Sequence, residues 1–269
     1  MAEPSKSRAV AQRLAKTMTR TSAAWKLIEP GDHIMVCVSG GKDSYTMLDL
    51  LWQARAKAPF AFDVTAVHLD QGQPGYDGEP LRAWLHDHAA PFRIIAQDTY
   101  STVVRVTNEG KSYCGACSRL RRGILYTTAA ELGCNKIALG HHRDDALETL
   151  LLNLFYGGKM QAMPARYTTD DGRFVVIRPL VECAEADIIA YAQTAAYPIL
   201  PCNLCGSQDG LRRVKMGELL ASLEADSPNV RAVMLNALRN INPSHLLDPT
   251  VQRVAGDAPQ LRVLPNDRA

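Results

Sequence analysis

The 269-residue sequence contains no run of 18 or more apolar residues, the length that a membrane-spanning helix needs. Its first 25 residues lack the apolar core of a signal peptide, because lysines and arginines interrupt them. We also find no internal repeat. These absences argue against a membrane-spanning or secreted protein, and we expect a cytoplasmic one.

A large excess of charge is also missing, since the formal net charge is only +2. The total charge therefore does not require a polyanionic partner. The distribution of the basic residues is more informative, because they form two short groups. These groups are Arg119, Arg121 and Arg122, and then Arg212, Arg213 and Lys215. With 46% hydrophobic residues, the chain suits one large α/β domain, with or without a small appendage.

Segments typical of strands and helices alternate over the first 155 residues, after eight residues that look irregular. The sequence predicts strands at 33–39, 62–70, 91–98 and 135–142. It predicts helices at 9–28, 44–57, 79–90, 117–132 and 144–155. Nearly continuous apolar strands separated by helices favour a Rossmann-like α/β fold, in which helices cover both faces of a parallel sheet.

The pattern changes after residue 157 to a segment rich in glycine and charge, which predicts an active-site loop with a hairpin. Helices are expected again at 183–196 and 211–225, before an irregular tail. We therefore expect four parts, namely a basic N-terminal helix (1–30), an α/β domain (31–182), a small helical C-terminal region (183–248) and the tail (249–269).

The segment SGGKDS, residues 39–44, joins the first predicted strand to the next helix. Ligands of open α/β sheets bind beyond the carboxyl ends of the strands, where a helix start offers N–H groups and a favourable dipole to an anion. Gly40 and Gly41 let the backbone approach a phosphate, and Lys42 adds a positive charge. The segment is not a Walker A loop, because no glycine lies five residues before Gly41. A plain glycine turn is the alternative interpretation.

A second polar segment, GHHRDD at 140–145, joins the end of the fourth predicted strand to the next helix. The paired carboxylates of Asp144 and Asp145 can hold Mg²⁺, which usually keeps several waters and bridges substrate phosphates. A carboxylate at this position can also act only as a helix cap, and Asp144 suits that role.

Four of the seven cysteines form two Cys-X-X-Cys pairs, Cys114 with Cys117 and Cys202 with Cys205. In a cytoplasmic protein such pairs indicate metal binding or catalysis rather than structural disulfides. A four-cysteine zinc site is one interpretation, but its pairs usually lie within about twenty residues of each other. These pairs are at least 85 residues apart. Three thiolates around an iron cluster with an open position are the other interpretation.

SGGKDS resembles the loop of the PP-loop ATP pyrophosphatases, which cleave ATP between its α and β phosphates and adenylate a substrate oxygen. This resemblance implies that Lys42, Asp43 and Asp145 are catalytic and that Asp43, Asp144 and Asp145 bind Mg²⁺. It also implies a set of ATP-binding residues: Ser39, Gly40, Gly41, Lys42, Asp43, Ser44, His68, Asp70, Gly140 and His141. For His68 and Asp70, an ordinary strand end is an equal alternative.

The order of motifs over residues 10–248 is similar to that of the tRNA-cytidine(32) 2-sulfurtransferase family. After the loop come CGACSRLRRGILY, GHHRDDALETLLLN, FYGGKMQAMPAR and PCNLCGSQ. The resemblance implies 2-thiolation of cytidine 32 in the tRNA anticodon loop, with ATP, Mg²⁺ and a [4Fe–4S] cluster that has an open iron site. It also implies a cysteine desulfurase as sulfur donor and a homodimer.

Carried onto this sequence, the resemblance makes Cys114 and Cys117 two cluster ligands. The third is expected in PCNLC, where Cys205 is favoured because related thiouridine synthetases place an arginine eight residues after their ligand, as Arg213 is here. Cys202 stays open as an alternative. The candidates for RNA contacts are Arg119, Arg121, Arg122, Lys159 and Arg166, together with the N-terminal helix.

Two other functions remain open at this point. One is a PP-loop ligase that adenylates RNA or a small molecule without an iron–sulfur cluster. The other is a nucleotide-sensing RNA-binding module, stapled by zinc and without turnover. Release of pyrophosphate from ATP in the presence of tRNA separates this module from an enzyme.

Overall fold

The computed structural model describes residues 4–88, 91–106, 114–200 and 208–249. Its six strands are β1 (His33–Cys37), β2 (Asp63–Asp70), β3 (Phe92–Ala96), β4 (Lys136–Ala138), β5 (Arg166–Thr168) and β6 (Val175–Ile177). They form one sheet in the order β3-β2-β1-β4-β6-β5, in which only β5 is antiparallel to its neighbour. The predicted α/β fold with a parallel sheet is confirmed.

The described helices are α1 (Pro4–Trp25), α2 (Lys42–Lys57), α3 (Glu79–Asp87), α4 (Tyr100–Val106), α5 (Cys114–Glu131), α6 (Arg143–Leu152), α7 (Glu185–Ala195), α8 (Gln208–Asp226) and α9 (Val230–Ala237). A π-helical turn (Asn153–Gly157) extends α6, and a 3-10 turn covers Pro243–His245. The sequence did not predict α4 or α9. Helix α1 begins at Pro4, inside the stretch expected to be irregular, since proline is well suited to the first helical position. Among these helices, none is both long and apolar enough to cross a membrane.

The central strands are buried on both faces, which explains their nearly continuous apolar sequences. Successive side chains of a strand point to opposite faces. Ile34 and Val36 therefore join a cluster with α1, α2, α3 and α7, whereas Met35 joins a second cluster with Leu125 and Ala129 of α5. Full burial of side chains of this size contributes about 1.5–3 kcal/mol each.

Helix α1 is amphipathic and is part of this core rather than a free basic arm. Its Leu14 and Met18 are almost completely buried. On its polar side, Arg13 Nε donates a 2.7 Å hydrogen bond to Asp187 of α7. Part of the positive charge predicted for RNA contacts is thus paired within the protein.

A third apolar cluster attaches the C-terminal helices to the sheet. Leu147 and Leu151 of α6 pack against Met216 and Leu220 of α8, and Met234 of α9 borders them. Because α6 directly follows β4, α8 and α9 lie close to the carboxyl end of that strand.

Candidate active site

The strand order places a topological switch point between β1 and β4. From β1 the chain moves outward to β2 and β3, and it then returns to the other side of β1 as β4. Loops leave such neighbouring strands in opposite directions and open a crevice between them. A cavity of about 400 Å³ lies here. The predicted residues that line it are Ser39, Gly41, Asp43, Ser44, His68, Arg121, Gly140, His141 and Asp145.

The loop after β1 has a shape that only glycine allows at position 40. Gly40 has φ +87°, and a Cβ there would lie 2.8 Å from Leu200 Cδ1. Leu200 N donates a hydrogen bond to Gly40 O at 3.0 Å. This bond fixes the segment around residue 200 against the loop. Ser44 Oγ accepts from Ser39 N at 3.1 Å and donates to Gly41 O at 2.8 Å. The Ser44 hydroxyl therefore holds the loop in shape before any phosphate binds.

Lys42 opens α2 and is held by two carboxylates. Its Nζ lies 2.9 Å from Glu185 Oε1 and 3.2 Å from Asp43 Oδ1. Burial lowers the pKa of Lys42, but the hydrogen bond to Glu185 and the negative charge of Asp43 outweigh it and leave this pKa above its usual value. Lys42 is therefore a positive charge fixed in place. No sequence motif indicates Glu185, which lies 143 residues away along the chain.

His142 caps α6, so the alternative that Asp144 is the cap is wrong. His142 Nδ1 accepts from Asp145 N at 3.4 Å, and Asp145 Oδ2 accepts from His142 N at 3.0 Å. This reciprocal pair is a capping box with histidine in the place usually taken by serine or threonine. It fixes the Asp145 carboxylate at the edge of the cavity.

Asp144 is buried and is paired entirely with protein groups. Its Oδ2 accepts from Glu185 N at 2.8 Å, while Oδ1 lies 2.7 Å from Arg231 Nη1 of α9 and 3.3 Å from Arg143 Nη2. Burial raises the pKa of Asp144, but the Glu185 N–H and Arg143 outweigh it, so the net pKa lies below its usual value. Asp144 thereby connects α9 with Glu185, the partner of Lys42.

Asp43 and Asp145 are the two carboxylates at the cavity itself. Asp43 Oδ1 is buried and accepts no hydrogen bond from the described residues, although Lys42 Nζ and His142 Nε2 lie 3.2 and 3.7 Å away. Asp145 Oδ1 lies 3.4 Å from Arg213 Nη1 of α8. A buried carboxylate oxygen without a donor, beside a second carboxylate, is the oxygen-rich arrangement that Mg²⁺ favours.

His141 is a neutral imidazole at the cavity. Burial, followed by the positive charge of Arg178, lowers the pKa of His141 to about 4. Arg178 Nε donates to His141 Nδ1 at 3.3 Å, so the neutral ring carries its proton on Nε2. His141 can therefore donate a hydrogen bond to an anion without adding a charge.

The end of β2 forms another wall of the cavity. His68 is buried, and its Nδ1 donates to Val38 O at 2.7 Å while its Nε2 pairs with the Tyr76 hydroxyl. Asp70 Oδ1 accepts from Gly72 N at 2.9 Å and so holds the turn after the strand. Of the two predicted residues, only His68 lines the cavity.

The N-terminal turn of α5, which contains the Cys-X-X-Cys pair, lies against the wall of the cavity formed by the end of β2. Cys117 Sγ donates to Oε1 of Gln71, a cavity-lining residue, at 3.4 Å. Arg121, one helical turn later, lines the cavity directly. Positions 114 and 117 both lie in the first turn of α5, which begins three residues earlier than predicted. The other pair, Cys202 and Cys205, lies outside the described residues.

Comparison with known proteins assigns a family to this arrangement. A PP-loop domain model matches residues 7–199. A tRNA-cytidine(32) 2-sulfurtransferase from Paracidovorax citrulli is 55% identical over 240 residues, which are 89% of this chain and 77% of that relative. Relatives with the same name from Bordetella pertussis and Neisseria meningitidis are each 54% identical, over 89% and 86% of this chain and 75% and 73% of their own lengths. The chain belongs to the tRNA-cytidine(32) 2-sulfurtransferase family.

A solved structure agrees with the fold of this chain. The U34-tRNA thiolase NcsA from Methanococcus maripaludis, solved with its [4Fe-4S] cluster, matches with a TM-score of 0.66. The match covers 88% of this chain and 80% of the thiolase, at 21% sequence identity. At that identity the likeness establishes a common fold.

The basic residues predicted to bind RNA lie in three places. Arg121 lines the cavity, whereas Arg119 and Arg122 are exposed on α5. Lys159 is exposed in the loop after the π-helical turn. Arg166 lies on β5 and donates to Lys26 O at 3.2 Å, close to the end of α1. The structure does not bring this set together at one point.

The structure adds four residues to the site that the sequence did not assign to it: Gln71, Glu185, Arg213 and Arg231. Only Arg213 had a signal in the sequence, because its spacing from Cys205 matched that of related enzymes. Its Nη1 also lies 3.5 Å from Glu148 Oε2, and burial raises the pKa of Glu148. The others reach the site through tertiary contacts that no local motif predicts.

Proposed function

We propose that this protein transfers sulfur to C2 of cytidine 32 in the tRNA anticodon loop, in a reaction driven by ATP. It is an ATP-dependent tRNA sulfurtransferase, like its relatives. The observation that carries the proposal is one cavity bordered by the PP-loop, by two carboxylates and, through Gln71, by Cys117.

The reaction needs an activated oxygen, because a pyrimidine carbonyl oxygen is a poor leaving group. The C2 oxygen forms a bond to the α-phosphorus of ATP, and pyrophosphate leaves. The outer sulfur of the desulfurase persulfide is first reduced to hydrosulfide by an external thiol, which becomes a disulfide. Hydrosulfide then forms a bond to C2 and loses its proton, and AMP departs with the original oxygen. In this scheme, the amides of residues 39–44, Lys42 and the Nε2–H of His141 bind and orient the phosphates.

Mg²⁺ fits the two cavity carboxylates, with Asp43 and Asp145 as its protein ligands. The support is that Asp43 Oδ1 accepts no hydrogen bond from the described residues and has only ion-pair contacts there, with Lys42 and His142. One or two carboxylates are what Mg²⁺ commonly takes when phosphates complete its shell. The bound ion neutralises charge on the pyrophosphate leaving group. Asp144 has the supporting task of holding Glu185 and Arg231.

We further propose a [4Fe–4S] cluster held by Cys114, Cys117 and Cys205, with Cys202 as the alternative third ligand. Cys117 supports this, because its thiol contacts a residue of the cavity wall. Helix α8 begins three residues after Cys205, and its Arg213 touches Asp145. When bound, such a cluster supplies a Lewis-acidic iron for the incoming sulfur.

The remaining parts of the proposal concern partners and organisation. A cysteine desulfurase provides the sulfur, the protein is a cytoplasmic homodimer, and the RNA contacts come from Arg119, Arg121, Arg122, Lys159 and Arg166. The four-part division at residues 30, 182 and 248 also remains a proposal.

The decisive experiment uses protein purified without oxygen. We expect four irons and four sulfides per chain, pyrophosphate release that depends on tRNA, and 2-thiocytidine detected by mass spectrometry of the digested tRNA. Cys114→Ala, Cys117→Ala and Cys205→Ala should each abolish thiolation while ATP still binds. The control is Cys134→Ala, a buried cysteine that packs in the core beside α5.

Two outcomes would change the proposal. Thiolation retained in all three variants would exclude the cluster as the route of sulfur. Zinc in place of iron, with pyrophosphate release but no thiolated product, would favour the adenylating ligase. That alternative is not favoured now, because the relatives that cover most of the chain are sulfurtransferases.

A further inference from the structure

An aromatic surface is exposed just beyond α6, outside the cavity. In the π-helical turn, Phe155 and Tyr156 are 59% and 52% exposed, and Met160 in the following loop is 74% exposed. Adjacent large apolar side chains on a surface commonly mark an interaction site, and π-helical turns are frequent at functional sites. We call Phe155, Tyr156 and Arg212 the aromatic platform.

The platform belongs to a fixed turn. Asn153 O accepts from Lys159 N at 3.0 Å, and Asn153 Nδ2 donates to Gln161 O at 2.6 Å. Gly158 ends the turn with φ +60°, a conformation that favours glycine. Because both ends of the loop bond to Asn153, the backbone that carries the two rings has little freedom left to lose on binding.

The charge around the rings is positive. The Arg212 guanidinium of α8 lies 4.9 Å from the centroid of the Tyr156 ring, and Lys159 is exposed nearby in sequence. Residues 152–161 contain no aspartate or glutamate. Aromatic rings combined with arginine and lysine form the surface on which unpaired nucleotides stack, because every base offers a π-face and every phosphate a negative charge.

The platform lies beside the active site. Arg213, the next residue after Arg212, reaches Asp145 at the cavity. Tyr156 follows Asp145 by 11 residues of helix, which corresponds to about 16 Å along the axis. A base on the platform is therefore a different one from the base that reacts in the cavity.

We propose that the aromatic platform stacks an unpaired nucleotide of the RNA substrate that lies near the reacting cytidine, and so positions the loop over the cavity. This rests on the proposed function, since it takes tRNA as the substrate. The occupant is single-stranded RNA rather than a second protein, because the exposed positive charges of Arg212 and Lys159, with no carboxylate in residues 152–161, match a polyanion.

The test distinguishes the effect of an aromatic ring on tRNA affinity from the effect of apolar surface alone. Tyr156→Leu and Phe155→Leu keep apolar surface but remove the ring, whereas Tyr156→Phe keeps it. We expect each leucine variant to weaken binding of unmodified tRNA by about 5- to 150-fold, the range for loss of one stacked base. Tyr156→Phe should bind like the unchanged protein, and ATP binding should be unchanged in all three.

The matched charge control is Arg173→Ala. Arg173 lies just before β6, at the end of the strands opposite the cavity. Its guanidinium also lies over an aromatic ring, 5.3 Å from the centroid of Phe174. We expect Arg212→Ala to weaken binding of tRNA but not of a fully paired RNA duplex, and Arg173→Ala to change neither.

Equal tRNA affinity in Tyr156→Leu, Phe155→Leu and the unchanged protein would overturn the platform. The platform would also be overturned if the leucine variants bound tRNA normally but changed the sedimentation coefficient of the protein without RNA. The patch would then be a protein interface. Failure of the proposed function looks different, because the unchanged protein itself would then not thiolate tRNA.

Discussion

At Gly140 the loop after β4 runs directly against the backbone at the start of α2. An added Cβ would lie 3.2 Å from Asp43 C and from Ser44 N, atoms that cannot rotate away. We expect Gly140→Ala to push the two loops apart, to cost about 1–3 kcal/mol of stability, and to slow pyrophosphate release. Urea unfolding and a pyrophosphate assay measure both effects.

Gly123 of α5 is the matched control for this substitution. An added Cβ there meets no atom within 4 Å. Gly123→Ala should therefore stabilise the protein by about 0.5–1 kcal/mol, because alanine loses less conformational freedom in a helix. Equal effects of the two substitutions would show that the close approach at Gly140 is unimportant.

His141 gives a pH dependence that can be stated with its sign. Its pKa is about 4 in the folded protein and near 6.5 in the unfolded chain. Between these values the unfolded chain binds more protons, so stability falls as the pH drops from 6.5 to 4, by on the order of 3 kcal/mol at most. His141→Asn should flatten this part of the profile, as measured by urea midpoints at several pH values. A profile with the same slope would assign the effect to another group.

At the scale of elements, α9 acts on the PP-loop from a distance. Arg231 binds Asp144, Asp144 holds the Glu185 amide, and Glu185 binds Lys42. Arg231→Met removes a charged hydrogen bond from a buried carboxylate. We expect a loss on the order of 1.5–3 kcal/mol in stability and a lower kcat, because Glu185 is less firmly held.

The control for Arg231 is its other partner, Glu224 of α8. Glu224 binds Arg231 at 2.8 Å without touching Asp144, and its side chain is 41% exposed. Glu224→Gln should cost less than about 1 kcal/mol and leave kcat unchanged. A kcat that falls equally in both variants would indicate general loosening of α8 and α9 rather than the connection to Lys42.

The elements that the sequence predicted correctly are those whose signals are local. The apolar strands, the SGGKDS turn and the helix after it depend on neighbours in the chain. Helix α4 was missed because its valines and threonine favour a strand. The side chain of Asp98 nevertheless accepts from Ser101 N at 2.8 Å, a helix-start signal that was readable. Hydrogen bonds from the Ser101 hydroxyl and, second, from the Ser101 N–H lower the pKa of Asp98.

The unpredicted part of the site depends on tertiary contacts. Glu185 and Arg231 meet Lys42 and Asp144 only because α7 and α9 pack near the ends of β1 and β4. His142 as a cap escaped notice because histidine rarely fills that place. A single sequence contains the ligands of such a site but not the distances between them.

At the scale of the molecule, the C-terminal helices and the sheet should unfold together. Leu220 of α8 is fully buried against α6, whereas Leu223 one turn later is 40% exposed. Leu220→Ala should cost roughly 2–5 kcal/mol and Leu223→Ala under about 1 kcal/mol. Circular dichroism and the fluorescence of Trp25, Trp52 and Trp84, which lie in α1, α2 and α3, should show one coincident transition. A separate early transition in Leu220→Ala would make α8 and α9 an independent unit.

The two carboxylates on Lys42 have a consequence for a protein that, on the proposed function, binds two polyanions, ATP and RNA. A lysine held by Glu185 and Asp43 presents little free charge, so a lone RNA phosphate gains little by displacing them. A nucleotide that brings a chain of phosphates and its own cation can offset that loss. If the proposed function holds, we expect the acidic partners of Lys42 to favour binding of ATP over the RNA backbone at the PP-loop.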